Sequence, residues 1–198
     1  MAKRFLEYDA PPGTGRFFQQ TGGAQLQDDV RHGVGRRRKV EEAAGPVRGY
    51  LVQAAVQWVR DFHVDALRLD ATDAIQDRSP RHLVAELADA VREAGRAAGR
   101  QVHVVAENDE NDRKVLDPPP RGWGAAAVWA DDLHHALHAL ATGERARYLA
   151  DFGGPEQIVR ALSEGFVYQG EPSRYRGRPH GTDVRGLLPA RFVACLQN

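Results

Sequence analysis

VDALRLDA, residues 64–71, and QVHVVAE, residues 101–107, are short apolar runs enriched in Val, Leu and Ala, and both read as buried strands. Between them, Ser79-Pro80 offers a capping hydroxyl ahead of a proline at a first helical position. Leu83, Leu87, Val91 and Ala94 then recur on one helical face as far as Gly99. Strand, helix and strand make a βαβ unit, and a crossover of that length joins parallel strands.

The pattern extends in both directions. Upstream, Val47, Leu51, Ala54, Trp58 and Phe62 recur at helical spacing after Gly45-Pro46, which predicts a helix from Pro46 to about His63. Downstream, GAAAVWA at 124–130 reads as a third strand. A helix over 131–141 follows, with two acidic residues where the helix dipole favours them. A further helix opens at Pro155 and closes at Gly165, residues 170–187 read as a long loop, and ARFVACLQN at 190–198 as a last strand. Residues 1–45 carry Gly clusters and no sustained apolar period, so they are expected to be an irregular, poorly ordered segment ahead of an α/β region over 46–198.

The chain of 198 residues and 21.9 kDa suffices for one ordinary core but is too short for a complete (β/α)8 barrel with appended domains. Lys plus Arg and Asp plus Glu are both 27, so no global field attracts nucleic acid or an acidic membrane, and the basic run at 36–39 reads as a solvated segment. One cysteine, Cys195, excludes an intrachain disulfide and any multi-cysteine metal site. It reads as a buried small hydrophobe. With no signal-like apolar stretch at the N-terminus and no membrane span, the expected address is the cytoplasm.

Candidate chemistry gathers at the ends of the first two strands. Arg68 and Asp70 are two residues apart and share a face, while Glu107 ends the next strand. Strands about 4.8 Å apart can bring carboxylates at their C-terminal ends within the roughly 5 to 5.5 Å of a retaining glycosidase. Arg68 would hold Asp70 ionised as a nucleophile, and Glu107 would stay protonated as the acid. The alternative on spacing alone is an Arg–Asp ion pair beside an unrelated surface Glu. His134, His135 and His138 have helical spacing that invites a metal reading, but no Glu or Cys completes a recognised ligand set. Trp123, Trp129, Tyr168 and Tyr175 could stack on sugars or simply pack.

VDALRLDATDAI at 64–75 resembles the second signature region of the alpha-amylase family of glycoside hydrolases, and VVAENDEND at 104–112 resembles the third. VWADDLHHALHALATGERARYLADFGG at 128–154, EGFVYQGEPSRYRGRPHG at 164–181 and FVACLQN at 192–198 are similar to the trehalose-releasing branch of that family. The resemblance, over residues 46–198, implies a partial (β/α)8 TIM barrel made of about the middle and later strands with their helices. It implies a retaining alpha-glycosidase acting on the alpha-1,4 bond next to the terminal trehalose of maltooligosyl-trehalose, or on a related alpha-glucan. It makes Asp70 the nucleophile and Glu107 the acid, with Arg68, Asp73, Asp131, Asp132, Leu133, His134 and His135 at the sugar site; it implies no metal or cofactor, since two carboxylates and water suffice.

Three departures accompany the resemblance. Asp73 stands where the family has a His, the N-terminal segment does not match the family's first signature region, and the family continues past LQN with a His–Asp pair. These imply a fragment that is inactive in isolation, or else a non-catalytic remnant that binds maltooligosaccharides.

Overall fold

The computed structural model describes residues 34–196, with side chains described from Gly45 onward. Two compact units divide the chain: residues 34–68 with 74–104, and residues 69–73 with 105–196. Two strands, β1 (Ala66–Leu69) and β2 (His103–Glu107), each run from the first unit into the second.

In the first unit, helix α1 (Val34–Arg60) packs against α2 (Leu83–Ala97). The expected start at Pro46 is corrected: the helix begins twelve residues earlier, so Pro46 lies inside it and residues 34–45 are helical. Pro46 has no N–H to donate, so the helix runs through it with one main-chain bond fewer. The rest of the expected irregular segment lies outside the described residues. Helix α2 buries Leu83, Val84, Leu87, Ala88 and Val91, the face predicted from the spacing. Its start is also corrected, from Ser79-Pro80 to Leu83. The carboxylate of Asp77 accepts the N–H groups of Ser79 at 2.9 Å and Leu83 at 2.6 Å, and His82 Nδ1 accepts Val84 N–H at 3.3 Å. Asp77 therefore satisfies the Leu83 N–H, which a helix starting at Leu83 leaves without an intrahelical acceptor.

In the second unit, β2 pairs with β3 (Ala127–Ala130) and β3 with the last strand, both in parallel. Helices α3 (Asp132–Thr142) and α4 (Pro155–Glu164) follow β3. The loop expected over 170–187 contains a small antiparallel ribbon, β4 (Pro172–Ser173) with β5 (Arg178–Pro179). The last strand, β6 (Phe192–Ala194), is shorter than the apolar run suggested. The sheet order is β1-β2-β3-β6. At one end of the first pair His103 N–H donates to Asp65 O at 3.0 Å, and at the other Ala71 N–H donates to the Glu107 side chain at 2.9 Å. Both ends therefore match start to start and finish to finish, so β1 and β2 run the same way.

The core of this unit has two clusters. Ala106, Val128, Ala130, Val115, Leu116 and Phe166 pack on the sheet. Leu133, Ala136, Ala139, Phe152 and Ala161 pack where α3 and α4 meet. Gly165, at the end of α4, has φ +91°, and an added Cβ would lie 2.2 Å from the Phe192 ring. The glycine expected to terminate that helix is thus also required by packing. No helix among the described residues is long and apolar enough to cross a membrane.

Candidate active site

Parallel strands bring their C-terminal ends to one edge of the sheet, and the side chains just past those ends are free of ladder duty. Glu107 is the last residue of β2 and Asp70 the first beyond β1, where it is exposed. The turn after Asp70 is fastened to Glu107 at two points. Ala71 N–H donates to Glu107 Oε2 at 2.9 Å, and the Thr72 hydroxyl donates to the Glu107 carbonyl oxygen at 2.5 Å. Asn108, buried, donates from Nδ2 to Thr72 Oγ1 at 3.3 Å. Ala71 reaches its acceptor from a left-handed backbone, φ +45°, which costs a non-glycine residue on the order of 1 kcal/mol.

The other predicted residues separate by environment. Arg68 is half-buried on β1, two residues before Asp70. Asp73 is exposed, and its Oδ1 accepts Asp109 N–H at 3.4 Å, so it ties the turn to the loop after β2. Asp131 follows β3, half-buried, and accepts the Cys195 thiol at 3.4 Å from the end of β6. Cys195 itself is buried, as expected. Asp132 is buried, with Oδ2 accepting Asn111 Nδ2 at 2.8 Å and Val167 N–H at 2.6 Å. Burial pushes its carboxyl up to about 6 against those donors. Leu133 packs in the apolar cluster where α3 and α4 meet.

His134 and His135 are half-buried, with His134 tilted against both His135 and His138, while His138 meets Glu144 at 2.9 Å. Among the described residues no three His, Cys, Asp or Glu side chains are placed to hold a metal ion.

A recess in the second unit is lined in part by Asp109, Asp132, His135, Tyr148, Arg176 and His180. His135 packs at a tilt against Tyr148 at 4.6 Å and Phe152 at 5.3 Å, and burial lowers its ring to about 4. Arg176 bonds Asp109 and reaches Glu110 at 3.2 Å, so it binds the loop after β2 to the β4–β5 ribbon. His180 is buried, its Nδ1 has no hydrogen-bond partner among the described residues, and burial lowers its ring. Of the four aromatics, Tyr168 lines the recess and donates to Asp151 O at 2.6 Å, while Tyr175 is exposed beside Tyr148. Trp123 carries the Lys114 ammonium at 5.4 Å, and Trp129 stands opposite Glu107 in the β2–β3 register.

Thr72, Arg176 and His180 escape the sequence reading. Thr72 sits two residues past Asp70 and was detectable only as a hydroxyl in an apolar context. Arg176 and His180 fall in a stretch so rich in Arg and Gly that no single position stands out.

No family model matches the chain. It is 40% identical over 153 residues, 77% of its length and 26% of the relative's, to a malto-oligosyltrehalose trehalohydrolase of Saccharolobus solfataricus. It is 32% identical over 188 residues to one of Brevibacterium helvolum, covering 93% of this chain and 32% of that protein, which is more than residues 46–198 alone supply. The match therefore reaches into the N-terminal segment, beyond the expected limit. A crystal structure described as an alpha amylase from Salmonella typhimurium superimposes with a TM-score of 0.69 at 38% identity, over 77% of this chain and 26% of that one. The chain spans about a quarter of the length of the first of these curated relatives.

Proposed function

The chain belongs to the alpha-amylase family of glycoside hydrolases, with the α/β architecture of part of a (β/α)8 barrel, and from that premise we propose that its second unit supplies the nucleophile and the acid of a retaining alpha-glycosidase. The observation that carries the reading is the bond from Ala71 N–H to Glu107 Oε2, which couples the residue after Asp70 to the carboxyl at the end of the neighbouring strand.

In this reading an Asp70 carboxylate oxygen attacks the anomeric carbon of the sugar as Glu107 gives its proton to the glycosidic oxygen. The carbon–oxygen bond breaks and the leaving sugar departs carrying that proton. Because Oε2 of Glu107 already accepts the Ala71 N–H, the transferable proton sits on Oε1. Glu107, now a carboxylate, removes a proton from water, the water oxygen attacks the anomeric carbon, and Asp70 is released with the configuration retained. The substrate we assign is maltooligosyl-trehalose, cut at the alpha-1,4 bond next to its trehalose end. The relatives' names motivate that choice. Asp131, His134 and His135, at or near the start of α3, would face the sugar. The cytoplasm is the proposed compartment.

A segment exchange tests this in the context of a full-length relative. The matching 153 residues of the Saccharolobus solfataricus protein are replaced by those of this chain. The hybrid should release trehalose, and Glu107→Gln or Asp70→Asn should each lower kcat by about a thousandfold or more. An active hybrid indifferent to both substitutions would sink the assignment. Should the chain bind maltooligosaccharides by calorimetry while the hybrid stays inactive, the non-catalytic reading would be preferred.

A further inference from the structure

We propose that Thr72 is a positioning residue for the acid. Its hydroxyl holds the Glu107 main chain so that Ala71 N–H remains on the Glu107 carboxyl. The inference deepens the reading of Glu107 as the acid and rests on it.

Thr72 is 0% exposed, and nothing about apolar packing requires a hydroxyl there. Its oxygen spends its one donor on the Glu107 carbonyl at 2.5 Å and accepts from Asn108 Nδ2 at 3.3 Å. In a regular parallel ladder a main-chain N–H of the neighbouring strand would occupy a carbonyl such as that of Glu107. Here β1 ends at Leu69, and the N–H of Ala71 is spent on the Glu107 side chain. The Thr72 hydroxyl, from the turn just past β1, donates to that carbonyl.

This exchange has a consequence for Glu107. A glutamate held only by its backbone samples several rotamers, whereas one whose carbonyl and carboxyl are gripped by consecutive residues of one turn has its carboxyl fixed relative to Asp70. The left-handed conformation of Ala71 shows that the turn accepts strain to make this contact. Asp109 N–H on Asp73 Oδ1 adds a third tie between the same two segments. A valine at position 72 would fill the same volume yet remove the hydroxyl's bond to the half-buried Glu107 carbonyl.

The experiment reads the Ala71 amide by NMR in the full 198-residue chain, so it needs no turnover. An amide donating to a carboxylate moves downfield as that carboxyl ionises. The wild-type Ala71 amide should therefore titrate, and Glu107→Gln should abolish the titration. Thr72→Val should move the amide upfield, shrink its titration and speed its hydrogen exchange on the order of tenfold, as expected for loss of a bond to a charged acceptor. Thr72→Ser, which keeps the hydroxyl, should restore all three.

A merely structural threonine would lower the melting temperature of Thr72→Val and leave the Ala71 titration intact, and that result would overturn the inference. If Thr72→Val does not fold, Thr72→Ala, which also removes the hydroxyl, decides in its place by the same readout. The two proposals fail separately. Loss of activity in the segment exchange with a titrating Ala71 amide rejects the chemistry, while an active exchange with an amide insensitive to Thr72 rejects the clamp.

Discussion

Asp132 and His135 line the same recess and respond to pH with opposite consequences for stability. Burial raises the Asp132 carboxyl to about 6, so between about pH 4 and 6 the folded state holds a proton that the unfolded chain has released. Its contribution is complete below pH 4 and is lost as pH rises through 6, a loss of about 3 kcal/mol from this one group. Burial, with His134 and His138 adding to it, lowers His135 to about 4, so its contribution is complete above pH 6.5 and is lost as pH falls through 4. The two slopes oppose each other over the same window. Urea midpoints from pH 4 to 7 should therefore be nearly level as far as these groups are concerned. Asp132→Asn should make stability rise with pH, and His135→Phe should make it fall. Equal slopes in the two variants would contradict the assignment. The family resemblance placed both residues at a sugar site. It could not show that the Asp132 carboxylate is taken by Asn111 and Val167, 21 and 35 residues away.

At the scale of elements, α2 turns on a residue that local pattern reading passed over. Ser79-Pro80 has the form of a helix start, yet Asp77 captures the free N–H groups because Arg48 of α1 meets its carboxylate at 2.5 Å. That guanidinium also reaches Glu86 at 2.6 Å, so one arginine joins α1 to the first turn of α2. Asp77→Ala should cost about 1–2 kcal/mol and speed exchange of the first α2 amides more than that of β2. Although burial opposes ionisation, the bonds from Ser79, Arg48 and Leu83 hold the Asp77 carboxyl down at about 2. The wild-type advantage over Asp77→Ala is therefore present above pH 4 and should fade as pH drops from 4 to 2. An unchanged difference at pH 2.5 would contradict this. Elements set by periodicity and by Gly or Pro were legible in the sequence: the buried face of α2, the two strands of the βαβ unit, and α4 between Pro155 and Gly165. Those set by partners 29 or more residues distant, such as the start of α2, were not.

Over the whole molecule, surface charge and apolar exposure act together. Positive and negative side chains balance at 27 each and the isoelectric point is about 7.1, so near neutral pH no net charge keeps copies apart. The described residues leave several large apolar side chains in water. Several of them are on helices. On α4, Val159 is 66% and Leu162 60% exposed, three residues apart and so on one face; on α1, Val47 and Tyr50 repeat that spacing at 59% and 70%. Neutral proteins with such faces associate through them. Light scattering or sedimentation at pH 7 should show self-association that weakens at lower concentration. Exchanging Val159→Lys together with Leu162→Glu leaves the net charge at zero, so any change reports the apolar face and not electrostatic repulsion. The pair should reduce association while leaving the melting temperature within a few degrees, because neither side chain belongs to the core. A wild-type chain that stays monomeric at 100 μM, taken as roughly the concentration where weak apolar contacts register, would refute the prediction. So would a double variant that associates as strongly as the parent.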